Sequence, residues 1–281
     1  LIEHQSFYSI RESLERSAEI LTKTGESILI LSPPTLKGAL SIAPLEASLI
    51  DANIPYRRRF STEIPSSSRF IRIVENPETK NVQAVDYSEI LISAQTVEGL
   101  RGKRGDPRKG ALSTVAQAHA LAQLICPTSQ RLRRMRPWVL SGNWIDAALD
   151  TTYDPVYTSL RDFLSAEGSI KIVPVTEVPN PEIGNYEWVE EGELARITKK
   201  WNSSDINQKE MAMDSLAEPA LVRNIPTTAR LEELIWHCII GVDWKTDLAS
   251  QIFKLSEIWG ESDQSKSASD IADLLISKGM C

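Results

Sequence analysis

Between residues 26 and 60 the pattern of apolar and polar positions changes three times. An unbroken apolar run, Ile28-Leu29-Ile30-Leu31, sits between polar flanks and predicts a strand over 27–32, covered on both faces. Pro33 and Pro34 end it. Apolar residues then recur at helical spacing (Leu36, Leu40, Leu45, Leu49), which predicts a helix over 37–52, and 56–60 (YRRRF) reads as a second strand. Strand, crossover helix and strand form a βαβ unit. In open parallel sheets ligands bind at the loop leaving the strand's carboxyl end. That loop is Ser32-Pro33-Pro34-Thr35-Leu36-Lys37-Gly38, and it holds no carboxylate.

The same patterning predicts the remaining elements. Residues 6–24 alternate apolar and charged positions at helical period, with Gly25 as a C-cap. Residues 69–75 (RFIRIVE) read as the third strand. Residues 82–92 begin as a strand, and the sequence leaves open whether the second half continues or turns helical. Four glycines and a proline make 99–110 (GLRGKRGDPRKG) a loop. A helix with small residues on one side follows over 111–125. The stretch 131–145 predicts a basic helix end, a short strand at 138–140 and a glycine-containing turn. A helix over 157–166 precedes a strand at 170–175, where Pro174 requires an edge or a bulge. Residues 176–187, rich in Pro, Asn and Gly, read as a linker. Beyond it amphipathic helices are expected, best defined at 229–240 and 248–259, then a polar, mobile tail over 261–269 and a short helix at 271–276. There is no internal repeat.

Charge adds a division that patterning does not show. Residues 182–281 carry 18 Asp and Glu against 10 Lys and Arg, leaving 20 against 21 for residues 1–181, out of totals of 38 and 31. The acidic excess therefore lies in the last third. The expected organisation is an α/β domain over 1–181 and a smaller, mainly helical acidic segment over 182–281. The remaining composition, 42% apolar and 25% charged over 281 residues, is that of a soluble globular protein. No apolar run approaches the roughly 20 residues of a membrane span. Leu1 in place of Met reads as a trimmed start, so a missing leader carries little information. Three dispersed cysteines, Cys126, Cys238 and Cys281, argue against a disulfide framework and fit a reducing cytoplasm.

The chain is poor in catalytic constellations. Its three histidines, at 4, 119 and 237, offer no paired zinc ligands, and His119 and His237 read as core residues. No phosphate-cradling glycine motif occurs. No serine stands in a nucleophile elbow. Two basic groups remain as candidate nucleic-acid contacts. Arg101, Lys103, Arg104, Arg108 and Lys109 lie in the glycine-rich stretch; Arg131, Arg133, Arg134 and Arg136 precede Trp138. The bland alternative for both is a solvated loop or helix end. Trp236, Trp244 and Trp259 in the acidic segment are either core or a partner-binding face.

The first helix, strand, loop, helix and IPYRRRF together resemble the opening of DHH-family phosphoesterases, the RecJ-like proteins in particular. The resemblance covers about the first 150 residues, in order and length more than identity. In that family an Asp-rich loop of the form S-H-x-D-x-D-G binds manganese, joined by an Asp ending the third strand, an Asp-His-His triplet and a later Gly-x-x-x-Asp. Here Ser32 and Gly38 stand at the loop's ends with Lys37 between them, and the third strand ends Glu75-Asn76. Asp86-Tyr87-Ser88 keeps only the Asp of the triplet, and Asn143 stands near the last position, with Asp146 offset. The resemblance thus implies a degenerate, non-catalytic member without cofactor. Such members act in archaea as the RecJ-related partner of the GINS complex and the MCM helicase, with single-stranded DNA as a further candidate ligand. The enzyme alternative is a divergent manganese-dependent exonuclease or phosphodiesterase using Glu75, Asp86 and Asp146. An unrelated α/β protein is the third reading.

Overall fold

The computed structural model describes residues 1–23, 25–64, 69–75, 89–182, 189–223, 226–260 and 262–281. In chain order the helices and strands are α1 (Arg11–Lys23), β1 (Ile28–Ser32), α2 (Leu36–Asp51), β2 (Tyr56–Phe60), β3 (Phe70–Val74), β4 (Glu89–Ser93), β5 (Gln95–Arg101), β6 (Pro107–Leu112), α3 (Thr114–Ile125), α4 (Gln130–Arg134), α5 (Ser141–Ile145), α6 (Pro155–Ala166), β7 (Ile170–Val173), α7 (Glu191–Trp201), α8 (Ile206–Arg223), α9 (Thr228–Ile235), β8 (Cys238–Gly241), α10 (Leu248–Ile258) and α11 (Gln264–Lys278). The chain is a mixed α/β protein. Its four-stranded sheet runs β2-β1-β3-β4 with every pairing parallel.

Side-chain alternation fixes which face of this sheet meets the helices. Ile28 and Ile30 of β1 align with Ile71 and Ile73 of β3 and with Ile90 and Ile92 of β4, and all six are buried in one core with α2 and α3. Phe60 of β2 joins them, whereas Arg57 and Arg59, pointing the other way, are exposed. The first βαβ unit follows the sequence expectation closely. The apolar run is too short for a buried helix, and two consecutive prolines stop the strand it forms.

Four stretches depart from expectation. The predicted loop 99–110 is largely the hairpin β5–β6, and only residues 102–106 turn. Gly99, which reads as a loop residue, is an irregularity within β5, where an added Cβ would lie 2.4 Å from the Pro155 backbone. The predicted strand 138–140 lies in a 3-10 helix, Arg136–Leu140. Pro137 suits a helical first turn, and Trp138, Val139 and Leu140 are buried all round, so they carry no periodicity. The predicted helix 229–240 stops at Ile235, and Cys238–Gly241 pairs antiparallel with β7, where Ile239 and Ile240 suit a strand. The expected mobile tail is, from Gln264 onward, the first turns of α11.

Two apolar cores result among the described residues. The smaller contains Leu194, Ile197 and Trp201 of α7, Met213 and Leu216 of α8, and Leu231 and Leu234 of α9. The larger takes in the sheet and α1, α2, α3 and α6, but also Leu248, Ile252 and Leu255 of α10 and Ile271, Ala272 and Leu275 of α11. The charge division near residue 182 is therefore not a packing division, because the last two helices close the first core. The join is specific at its end. Fully buried Trp138 donates its indole N–H to the Gly279 carbonyl (3.0 Å) and packs against Trp244, with ring centres 5.4 Å apart. Gly279 ends α11 at a φ of 77°, in the left-handed region that favours glycine.

Candidate functional site

The loop after β1 lies at the carboxyl end of the parallel sheet, where its backbone folds tightly over the start of α2. Thr35 caps this helix, accepting the Gly38 amide at 2.9 Å. Gly38 has no room for a side chain: a Cβ would lie 2.3 Å from the Pro33 carbonyl and 2.6 Å from the Ser32 hydroxyl. The Thr35 hydroxyl also donates to the Glu75 carboxylate just beyond β3, so two loops at one sheet end are tied together. Ser32 is fully buried, and its hydroxyl has no hydrogen-bond partner among the described residues.

Lys37 reaches from the first turn of α2 to Asp146, at the end of α5, with Nζ 2.7 Å from the carboxylate. Its side chain is only 15% exposed, so water screens the pair less than a surface pair. Glu75 and Asp146 are thus engaged by the chain's own donors. An ammonium supplies here the positive charge that a cation would supply in a metal centre. Among the described residues no group of three or more His, Cys, Asp or Glu side chains converges as a metal site. Asn76 and Asp86-Tyr87-Ser88 lie outside the described residues.

Asn143 does not face this loop. Its amide donates to the Ala111 carbonyl (2.7 Å) and to Asp154 (2.8 Å), whose other oxygen caps α6 through the amides of Val156 and Tyr157. Its role is to join β6, α5 and α6. Asp146, offset by three residues in sequence, is the one that meets the loop.

The two basic groups stand apart. In the hairpin, Lys103, Arg104, Arg108 and Lys109 are exposed, while Arg101 pairs with Glu98 at 2.5 Å. The hairpin rests on α6 and the opening 3-10 helix (Gln5–Phe7), whereas α4 rests on α2, α11 and the 3-10 helix at 136–140. Of the arginines in α4 only Arg133 and Arg134 are exposed. Arg131 is bonded to Asp51 of α2, and Arg136 turns inward to Glu167 (3.1 Å) and Gln123 (3.0 Å). Trp138 is buried and offers no stacking platform. The second group is therefore two arginines rather than four with an aromatic.

The three candidate tryptophans also separate. Trp244 is a core residue, Trp259 packs partly buried against the first core, and Trp236 is 41% exposed. The histidines behave as core residues where they are buried. His119, within α3, is pushed down to about 3 by burial and then by nearby Arg136, so it stays neutral.

One cluster has no signal in the sequence. Arg161 of α6, in the first core, is bonded to Glu233 of α9, in the second, across 72 residues of chain. Both are buried, and Tyr157 beside them has its phenol pushed well above its ordinary value by burial and then by the Glu233 charge. Arg230 adds a bond to Asp150 at 2.8 Å and lies 4.5 Å over the Trp144 ring. This network joins the two cores.

The sequence matches no protein-family model and no curated protein. No helix among the described residues is long and apolar enough to cross a membrane.

Proposed function

We propose that this chain is a non-catalytic, RecJ-like scaffold of the DHH type, which binds the GINS complex of the archaeal replication machinery and helps couple it to the MCM helicase. One observation carries the reading: the Lys37–Asp146 ion pair across the loop at the carboxyl end of the sheet. Two-metal hydrolysis needs free carboxylates converging on cations that activate water. Here a fixed ammonium holds one candidate carboxylate and Thr35 holds the other, Glu75. A divalent ion entering beside Lys37 meets a like charge. An active-site loop with its chemistry replaced by internal bonds fits a protein retained for its surfaces. Single-stranded DNA is a secondary ligand in this reading, held by the exposed basic residues of the hairpin and of α4.

The test uses the full chain with purified archaeal GINS and MCM on a size-exclusion column, and with labelled single-stranded DNA in manganese. The expected outcome is co-elution with GINS and no hydrolysis. Hydrolysis that disappears in Asp146→Ala, without co-elution, overturns the reading in favour of a divergent nuclease.

A further inference from the structure

We propose that the outer face of α8 is a docking surface for a basic amphipathic helix of a partner protein. The inner face of α8 buries Met213, Leu216 and Ala220 in the second core. Met211, Asp214, Ser215, Glu218, Leu221 and Val222 fall together on the opposite side, within an arc of about 120° at a helix's 100° per residue. Met211 is 73% exposed, Leu221 57% and Val222 79%. With Ile206, four of the twelve exposed large apolar side chains among the described residues belong to this one helix. Isolated exposed apolar residues are ordinary; a set aligned on one face marks a binding surface. The face also bears a shallow depression of about 620 Å³, lined by Asp214, Ser215, Glu218, Leu221 and Val222.

Charge identifies the occupant. Asp214 and Glu218 sit one helical turn apart at the middle of the face, between Met211 and the Leu221–Val222 pair. Like charges at this spacing disfavour the isolated helix. No basic side chain among the described residues pairs with either. On other helices surface carboxylates do have such partners, as Glu193 has Arg196 and Glu15 has Arg11. A second copy is a poor occupant, because two-fold antiparallel packing about this centre would place four carboxylates together. A helix with lysine or arginine at its middle and apolar residues about three turns apart complements both features. This surface is remote in sequence from the β1–α2 loop, and the proposal does not depend on the identity of the scaffold's partner.

The experiment titrates the full chain into fluorescent 18-residue peptides at physiological ionic strength. One peptide places leucines about three turns apart on a single helical face, with lysines between them at its middle. A second has the same composition scrambled, and a third replaces lysine with glutamate. The expected result is at least tenfold tighter binding of the first peptide than of the scrambled one. That preference should vanish in a Met211→Ser, Leu221→Ser, Val222→Ser variant, whose changes touch only exposed positions. In Asp214→Lys, Glu218→Lys the preference should pass to the acidic peptide. Equal binding of patterned and scrambled peptides, or no binding, overturns the proposal. So does concentration-dependent dimerisation in sedimentation that the triple variant abolishes, which would make the occupant a second copy.

Discussion

At the scale of single residues, Glu46 carries the clearest consequence. It lies on α2, 2% exposed, and shares the Arg58 guanidinium (2.8 Å) with Asp273 of α11 (2.9 Å). Burial pushes its carboxyl up to about 7; Arg58 opposes this but divides its charge between two carboxylates. The folded state therefore holds this proton more tightly than the unfolded chain. The resulting stabilisation is complete below the ordinary carboxylate value and is lost as pH rises through about 7. The loss amounts to roughly 3 kcal/mol at one unit per 1.36 kcal/mol. The calorimetric melting temperature should accordingly fall between pH 5 and pH 8 by several degrees, and Glu46→Gln should flatten that fall. An unchanged slope in the variant would assign the pH dependence to another group.

At the scale of elements, α4 separates two roles that one run of arginines superimposes. Arg131 holds α4 to α2 through Asp51, while Arg133 and Arg134 face solvent. Arg131→Glu should lower the melting temperature, because it places a second carboxylate against Asp51. Arg133→Glu with Arg134→Glu should leave melting unchanged. If α4 meets single-stranded DNA, that double variant should weaken binding and reduce the slope of log K against log salt by about 0.7 for each phosphate no longer neutralised. Affinity and slope both unchanged in filter binding would return α4 to a solvated helix.

At the scale of the whole molecule, the decisive fact is that the chain's end returns to its beginning. Helix α11 lies along α2 and β2, and Trp138 is held by the carbonyl of Gly279. A cut after Glu182 therefore removes part of the first core as well as the second. The truncated chain should lose cooperative melting, which excludes it as a test of which half binds a partner. A milder probe of the join is Glu233→Gln, which leaves Arg161 only the half-exposed Asp162 as a carboxylate partner. Removing one charge of a fully isolated buried pair costs about 3–5 kcal/mol; Asp162 offsets part of this, and denaturant titration should register a loss of about 1–3 kcal/mol. A shift below about 1 kcal/mol would show that water reaches the pair.

Local pattern was enough to locate the first βαβ unit, β3, and the helices α3, α6 and α10. β1 and β3 are apolar runs too short for a helix, while the helical stretches run for several turns, so length decides even where burial all round blurs the period. The pattern also put the carboxylate-free stretch 32–38 at the sheet's carboxyl end, although Ser32 closes β1 and Lys37 and Gly38 belong to the first turn of α2. Packing set the conformation of short segments that show no period or that change partner. Trp138–Leu140 and Cys238–Gly241 have no exposed face to give a period, so their conformation follows from what they pack against or pair with. The hairpin β5–β6 was hidden because its glycines serve close approach to α6 as well as turning. The partners of charged groups are the least legible of all. Lys37 meets Asp146, and Arg161 meets Glu233, across 109 and 72 residues. An ion pair is selected by position in space, and nothing in the local pattern of a chain records which distant carboxylate its fold will bring to a given cation.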